Sequence, residues 1–191
     1  GEAIPIQDLI DKATVLAREI VDMKNQTLSD KEKSSIAETV ALGALKYEML
    51  KEHRNSDIVF SWQKILDFNG NSAPYLQYTY ARLSSILRKA PFPKLSKPGF
   101  DNLGKIELAI IKHLLDFPDV IADSARVYLT NNLALYLYEL ANLANNFYES
   151  APILKDDNTP RRHARLVLVQ TTAAILKSGL GLLSIQVLEK I

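Results

Sequence analysis

The sequence predicts an all-α protein organised as a helical bundle. Apolar residues recur at helical spacing in almost every segment of the 191-residue chain, and Ser, Asn and Pro residues stand where helices would begin. Hydrophobic residues make up 47% of the sequence, which is enough apolar surface for one core. The chain has only seven glycines, which argues against a loop-rich or repetitive architecture.

The first part of the chain divides into helices at capping and turn signals. Apolar residues at helical spacing predict a first helix over residues 5–24. Ser29, followed by Glu32 three residues later, forms a capping-box pattern that opens the second helix. Residues 56–68 then predict a turn, extended residues and a short helix, in which we expect Trp62 to anchor the core.

A tyrosine-rich helix follows, beginning near residue 72. Asn71 or Ser72 can cap it, because a short polar side chain satisfies a free N–H group of the first turn, where Pro74 is also tolerated. The apolar stripe, which we expect to face the core, holds Leu76, Tyr80, Leu83, Leu87 and Ala90. The opposite stripe holds Tyr75, Tyr78, Arg82, Ser85 and Lys89.

This second stripe allows two interpretations. Aromatic rings stack on bases and cations bind phosphates, so the stripe suits single-stranded nucleic acid. The tyrosines could equally pack against a neighbouring helix, with their hydroxyls bonded to polar partners. The surrounding residues 82–112 contain seven cations and two acids, a net charge of +5, which suits a phosphate-facing surface or a solvated face.

The second half of the chain continues the helical pattern after one interruption. Three prolines in residues 90–100 predict an exposed loop, and helical spacing then resumes, breaks at Pro118 and restarts. The final helix should open at residues 159–160 and close at Gly179. Its middle is apolar nearly all round, so the lone Arg165 needs a partner or a route to water.

A long helix before this last one carries two contrasting faces. Its apolar face holds Leu133, Tyr136, Leu137, Leu140, Ala144, Phe147 and Tyr148. Its other face holds Asn131, Leu135, Tyr138, Asn142, Asn145 and Asn146. The amides around Tyr138 suit hydrogen bonding to bases or sugars, and they suit a neutral solvated surface as well.

Several classes of chemistry are excluded by composition and spacing. The chain has no cysteine, so disulfides, thiolate catalysis and cysteine zinc sites are excluded. His53, His113 and His163 are isolated from one another, and no glycine-rich phosphate loop occurs. No apolar run approaches the roughly 18 residues of a membrane helix, so we expect no membrane partner. These features predict a binding surface without a cofactor.

Three segments carry a resemblance to a known family. "ILDFNGNSAPYLQYTYARLSSILRKA" (65–90) resembles the entry into the C-terminal anticodon-binding domain of arginyl-tRNA synthetases. "LALYLYELANLANNFYESAPIL" (133–154) is similar to the central helix of that domain, and residues 164–191 are similar to its closing helix. "GEAIPIQDLIDKA" (1–13) resembles the stretch after the lysine-containing signature loop of the class I catalytic domain.

The resemblance implies roles for particular residues. Tyr75 matches the family's Pro-Tyr-x-Gln-Tyr pattern, so Tyr75 or Tyr78 would stack on an anticodon-loop base. Arg82 and Lys89 would hold phosphates. The remaining predicted contacts are Tyr138, Ile153, Leu154, Arg165 and Ile191. Residues 130–131 are Thr-Asn where many relatives carry Pro-His, and we expect one of them to cap the next helix.

The resemblance also implies an organisation and a partner. Residues 1–60 would lead from a catalytic domain, and residues 61–191 would form the anticodon-binding bundle, within one compact unit. Because the chain starts at Gly1, we interpret it as a fragment or a processed chain that is inactive alone. The parent enzyme would be a cytoplasmic arginine–tRNA ligase that uses ATP and Mg²⁺. Expected partners are arginine tRNA and the missing catalytic domain, with the chain a monomer; the alternative is a helical protein-interaction module.

Overall fold

A computed structural model describes residues 5–90 and 98–191, and within these ranges the chain is helical with no β-strand. This confirms the predicted all-α fold. None of the described helices is long and apolar enough to cross a membrane. The helices are α1 (Ile6–Lys24), α2 (Asp30–Leu50), α3 (Trp62–Ile65), α4 (Ala73–Lys89), α5 (Lys105–Leu115), α6 (Phe117–Val127), α7 (Thr130–Ser150) and α8 (Thr159–Leu182).

Local capping signals set where α2 and α4 begin. The side chain of Ser29 accepts a hydrogen bond from the backbone N–H of Glu32, whose carboxylate accepts from the backbone of Ser29 in return. Ser72 caps α4 by accepting from the N–H of Tyr75 at 3.3 Å, and Pro74 lies in the first turn as predicted. Both signals involve residues three apart in sequence, so they could be read directly from it.

The expected ends of α7 and α8 need correction. Asn158 caps α8 by accepting from Arg161 N at 2.9 Å, and the helix passes Gly179 to end at Leu182. A Cβ at Gly179 would lie 2.5 Å from Leu137 Cδ2, so this glycine permits close approach of α8 to α7. Thr130 does not cap α7; its hydroxyl instead donates to the carbonyl of Leu50 at 2.9 Å, joining α7 to the end of α2.

Buried apolar side chains form two clusters. The smaller cluster lies among α1, α2 and the α3 region, and Trp62 packs at its margin, only partly buried. The larger cluster is built mainly from α4, α7 and α8. The expected core stripe of α4 points into the larger cluster, with Leu76, Tyr80 and Leu83 buried.

Two features join the clusters. Tyr47 of α2 belongs to the larger cluster, and its hydroxyl lies 2.6 Å from Asn71 Oδ1 and 3.0 Å from the carbonyl of Ala134. The segment after α8 places Ile185 in the larger cluster and Ile191 against the smaller one. The predicted division at residue 60 stays a prediction, and residues 91–97 of the predicted loop lie outside the described ranges.

Candidate nucleic-acid interface

A groove of about 540 Å³ opens beside the C-terminal half of α4. Its other walls are formed by the segment between α1 and α2, the end of α7, the turn that follows α7 and the residues after α8. Five of the predicted site residues line this groove: Tyr78, Arg82, Lys89, Leu154 and Ile191. These residues are far apart in sequence, and the bundle brings them together on one surface.

The groove is predominantly cationic. Arg82, Arg88, Lys89 and Lys190 line it with one acid, Glu189. Glu189 is bound to Arg88 at 3.1 Å and accepts a hydrogen bond from the Tyr80 hydroxyl at 2.9 Å. In the part of the chain that the structure describes, Arg82 and Lys89 form no ion pair. The positive charge of these two side chains therefore remains available to an anionic ligand.

Arg82 is held in a defined orientation without a carboxylate. Its guanidinium carbon lies 4.8 Å from the ring centroid of Tyr78 and 4.7 Å from that of Tyr148. One terminal nitrogen donates to Asn145 Oδ1 at 2.6 Å, and the other donates to the Tyr78 hydroxyl at 3.1 Å. The side chain is thus a charged group fixed by rings and neutral acceptors.

Tyr148 is a groove residue that the sequence interpretation assigned to the core. It lies in the last turn of α7, and 44% of its surface is exposed. Its ring contacts Arg82 and also faces the groove, so one aromatic surface can stack on a ligand. Helical spacing placed it on the apolar face, and such spacing does not show which residues of that face a neighbouring helix covers.

The other tyrosines of the predicted site are more deeply packed. Tyr75 and Tyr138 meet edge to face at 5.8 Å, and the Tyr75 hydroxyl donates to Asn142 Oδ1 at 2.7 Å. Burial raises the pKa of Tyr75. Tyr78 meets Phe68 at 6.3 Å but still lines the groove. The packing interpretation therefore describes Tyr75 well, whereas Tyr78 both packs against Phe68 and keeps a surface in the groove, so stacking on a base stays a prediction for it.

Ile153 and Arg165 lie away from the groove. Ile153 is 5% exposed and belongs to the larger cluster, so it offers no surface to a base. Arg165 is 9% exposed; its Nε donates to Glu107 Oε1 at 2.9 Å and its NH1 donates to Asp156 Oδ2 at 2.8 Å. A charged side chain in apolar surroundings needs such partners, and these two carboxylates compensate the charge of Arg165.

Asn145 also differs from its expected position on an outward polar face. It is 8% exposed, and its Nδ2 donates to Thr79 Oγ1 at 2.8 Å while its Oδ1 accepts from Arg82. Helical spacing could not show this, because α4 covers that side of α7. Asn145 consequently belongs to the support of the groove rather than to its exposed lining.

The described residues contain no cluster of side chains that would hold Mg²⁺ by itself. No group of three or more His, Asp or Glu side chains in residues 5–90 and 98–191 could hold a metal ion. Two buried carboxylates, those of Glu107 and Asp156, are both bound by Arg165. The described donor set therefore does not fit a metal ion held by protein side chains alone.

Comparisons with known proteins place this geometry in context. Residues 76–191 match the family described as the DALR anticodon binding domain, and residues 1–62 match the catalytic domain of class I tRNA synthetases (R). The chain is 40% identical over its full length to the arginine–tRNA ligase of Fusobacterium nucleatum, of which it covers 34%. It therefore spans about a third of the length of that relative.

Two solved structures share the fold. Arginyl-tRNA synthetase of Thermus thermophilus superposes with a TM-score of 0.91 and 34% identity, over 99% of this chain and 32% of that one. Arginyl-tRNA synthetase of Plasmodium falciparum superposes with a TM-score of 0.88 and 30% identity, over 98% of this chain and 34% of that one. The described helices thus follow the arrangement found in both proteins.

Proposed function

The chain belongs to the arginyl-tRNA synthetase family, and from this premise we propose that its groove binds the anticodon loop of an arginine tRNA. The observation that carries the proposal is an exposed aromatic ring, Tyr148, beside two cations without ion pairs, Arg82 and Lys89. Single-stranded RNA loops are bound by stacking of unstacked bases and by contacts to phosphates. A groove with both features matches that ligand class.

We assign the side chains of the groove distinct roles. Tyr148 and Tyr78 would stack on bases, each such contact contributing roughly 1–3 kcal/mol to binding. Arg82 and Lys89 would bind phosphates, which positions the RNA without reading its sequence. Leu154 and Ile191 would provide apolar contacts at the walls.

Further tyrosines would extend this surface along the contact between α4 and α7. Tyr75 lies about one turn before Tyr78 on α4 and meets Tyr138 of α7. Because both rings are partly buried, we propose that they contact the loop at their exposed edges. The Tyr75 hydroxyl already donates to Asn142, so only its oxygen would accept a hydrogen bond from a sugar or base, a weaker contribution than full stacking.

For the whole protein we propose a cytoplasmic arginine–tRNA ligase. The longer chain would join arginine to its tRNA with ATP and Mg²⁺, and the 191-residue chain would contribute tRNA binding without catalysis. We propose that it acts as a monomer whose other partner is the remainder of the same polypeptide. Incubating this chain with arginine, ATP, Mg²⁺ and tRNA should yield no charged tRNA; measurable charging would contradict the proposal.

One observation favours the alternative of a protein-interaction module. Ile58, Val59 and Phe60 expose apolar side chains. The ring of Phe60 lies 4.8 Å from that of Trp62, which lines a shallow depression together with Met23. A partner bound there would depend little on salt, because apolar interfaces lack the counterion release of phosphate binding. Salt dependence therefore separates the two functions.

The test is fluorescence anisotropy with a labelled anticodon stem-loop of arginine tRNA at several salt concentrations. We expect affinity to fall steeply as salt rises, with a log–log slope of roughly −0.7 to −0.9 for each phosphate bound. A second stem-loop, altered only at the central anticodon base, serves as the matched ligand. Weaker binding of the altered loop supports anticodon reading; no binding of either loop contradicts the proposal.

A further inference from the structure

A chain of three hydrogen bonds lies beneath the groove. The hydroxyl of Thr79 donates to the carbonyl of Tyr75 at 2.9 Å. The amide nitrogen of Asn145 donates to Thr79 Oγ1 at 2.8 Å, and the amide oxygen of Asn145 accepts from Arg82 at 2.6 Å. These hydrogen bonds thus connect the backbone of α4 to Asn145 on α7, and Asn145 in turn to the cation of Arg82 on α4.

The direction of these hydrogen bonds is fixed by the donor inventory. A threonine hydroxyl has one proton, and here it is used on the carbonyl of Tyr75. The oxygen of Thr79 can therefore only accept from Asn145, which must present its NH₂ group to it. The amide oxygen is then left facing Arg82, where a donor is required.

Burial makes this orientation costly to change. Thr79 and Asn145 are both shielded from water, so a flipped amide would turn its NH₂ group toward the N–H donors of Arg82 and leave that buried group without an acceptor. The guanidinium carbon of Arg82 also lies 4.8 Å from the ring centroid of Tyr78 and 4.7 Å from that of Tyr148. These contacts allow the group little freedom to rotate.

An amide at this position also leaves the charge of the cation intact. A carboxylate at the same distance would neutralise Arg82, whereas a neutral amide oxygen holds it without compensation. Two of the five N–H groups of a guanidinium are used by Asn145 and Tyr78, and within the described ranges the others have no partner. Those groups remain available to a phosphate.

We propose that Thr79 and Asn145 are positioning residues that orient the Arg82 guanidinium toward a phosphate of the bound RNA. This inference rests on the proposed function for the identity of the ligand. It goes beyond that function by assigning a role to two buried residues that never touch the RNA. The role requires threonine or serine at 79 and an amide at 145.

The orientation can be tested without RNA. In the 191-residue chain, NMR should resolve separate signals for the two terminal nitrogens of Arg82, because their exchange by rotation is slow. Thr79→Ser should keep the separation, whereas Thr79→Val and Asn145→Ala should average the signals. Averaged signals in the unaltered chain, or separate signals in both disruptive variants, would overturn the positioning role. Thermal melts followed by circular dichroism would verify that each variant folds.

The link to the ligand is tested by a double-mutant cycle in the anticodon stem-loop assay. We expect Asn145→Ala alone to weaken stem-loop binding about tenfold. Added to Arg82→Ala, the same substitution should cause no further loss of affinity. Asn145→Asp should reduce the magnitude of the log–log slope of affinity against salt by about 0.7, because the new carboxylate pairs with the guanidinium. Arg82→Ala should reduce it by the same amount.

The outcomes distinguish the inference from the function on which it rests. Equal losses from Asn145→Ala in both backgrounds would show that Asn145 acts independently of Arg82 and would overturn the inference alone. Absence of stem-loop binding by the unaltered chain would overturn the proposed function and the phosphate contact with it. A higher affinity of Thr79→Ser than of Thr79→Val would support the orientation of Arg82 through the hydroxyl at position 79.

Discussion

Arg82 and Arg165 belong to the same bundle but are held in opposite ways. Arg165 lies between two buried carboxylates, Glu107 and Asp156, so its charge is compensated inside the protein. Arg82 is held by an amide and two aromatic rings, and no carboxylate among the residues that the structure describes compensates its charge. The nature of the partners thus distinguishes a cation that stabilises the fold from one prepared for a ligand.

The largest effect should come from breaking the buried network. Arg165→Met would leave two carboxylates without their shared partner, and we expect a loss of about 3–5 kcal/mol in the free energy of unfolding. Urea titration measures this loss in the free energy of unfolding. Arg82→Met is the matched control, and it should cost about 1 kcal/mol because only cation–π contacts and neutral hydrogen bonds are lost. Similar costs for both variants would invalidate the comparison.

Acid should remove part of the same stabilisation. Hydrogen bonding to Arg161, together with the nearby charge of Arg165, lowers the pKa of Asp156 to about 2. Because the folded pKa lies below the unfolded one, this stability is present above about pH 4 and is lost as pH falls toward 2. Urea titrations across this pH range should show the loss of stability. Asp156→Asn should flatten the dependence of the free energy of unfolding on pH. An unchanged dependence in the variant would exclude Asp156 as its source.

The next effect concerns the two kinds of tyrosine. Tyr148→Ala should weaken binding of the anticodon stem-loop by roughly 1–3 kcal/mol, because an exposed stacking ring is lost. Tyr148→Phe retains the ring and should bind normally. Tyr75→Ala should mainly reduce stability, since its ring packs against Tyr138. If Tyr75→Ala weakens binding more than Tyr148→Ala, the stacking roles are reversed.

The smallest effect should come from the acid in the groove. Glu189→Gln frees Arg88, so stem-loop affinity at low salt should rise about threefold while stability changes by less than about 1 kcal/mol. Asp123→Asn is the control: it also removes an acid from an exposed ion pair, with Arg126, but outside the groove lining. Equal gains in both variants, measured by anisotropy, would indicate only a net-charge effect.

Features set by nearby residues were predictable from the sequence. The caps at Ser29 and Ser72 depend on contacts within three residues, and the core face of α4 follows from helical period. Helical spacing also grouped Tyr78, Arg82 and Lys89 on one stripe of α4, and all three line the groove, while their part in RNA binding stays a prediction. These predictions rest on local geometry or on a sequence pattern.

Features set by distant packing could not be predicted. Gly179 looked like a helix end, but its role depends on contact with Leu137 of another helix. Arg165 finds Glu107 fifty-eight positions away, and sequence spacing gives no sign of that pairing. Tyr148 is 44% exposed and lies against Arg82 of α4, a contact that helical spacing within α7 does not show.

The hydroxyl of Tyr47 has a consequence for cooperativity. It connects α2 to the entry of α4 at Asn71 and to the backbone of α7 at Ala134. A transient opening of α2 would therefore expose polar atoms in both other helices, which raises the free energy of partial unfolding. We expect amides of α2 and α7 to exchange with solvent through one shared opening event. The two clusters would then melt in a single transition.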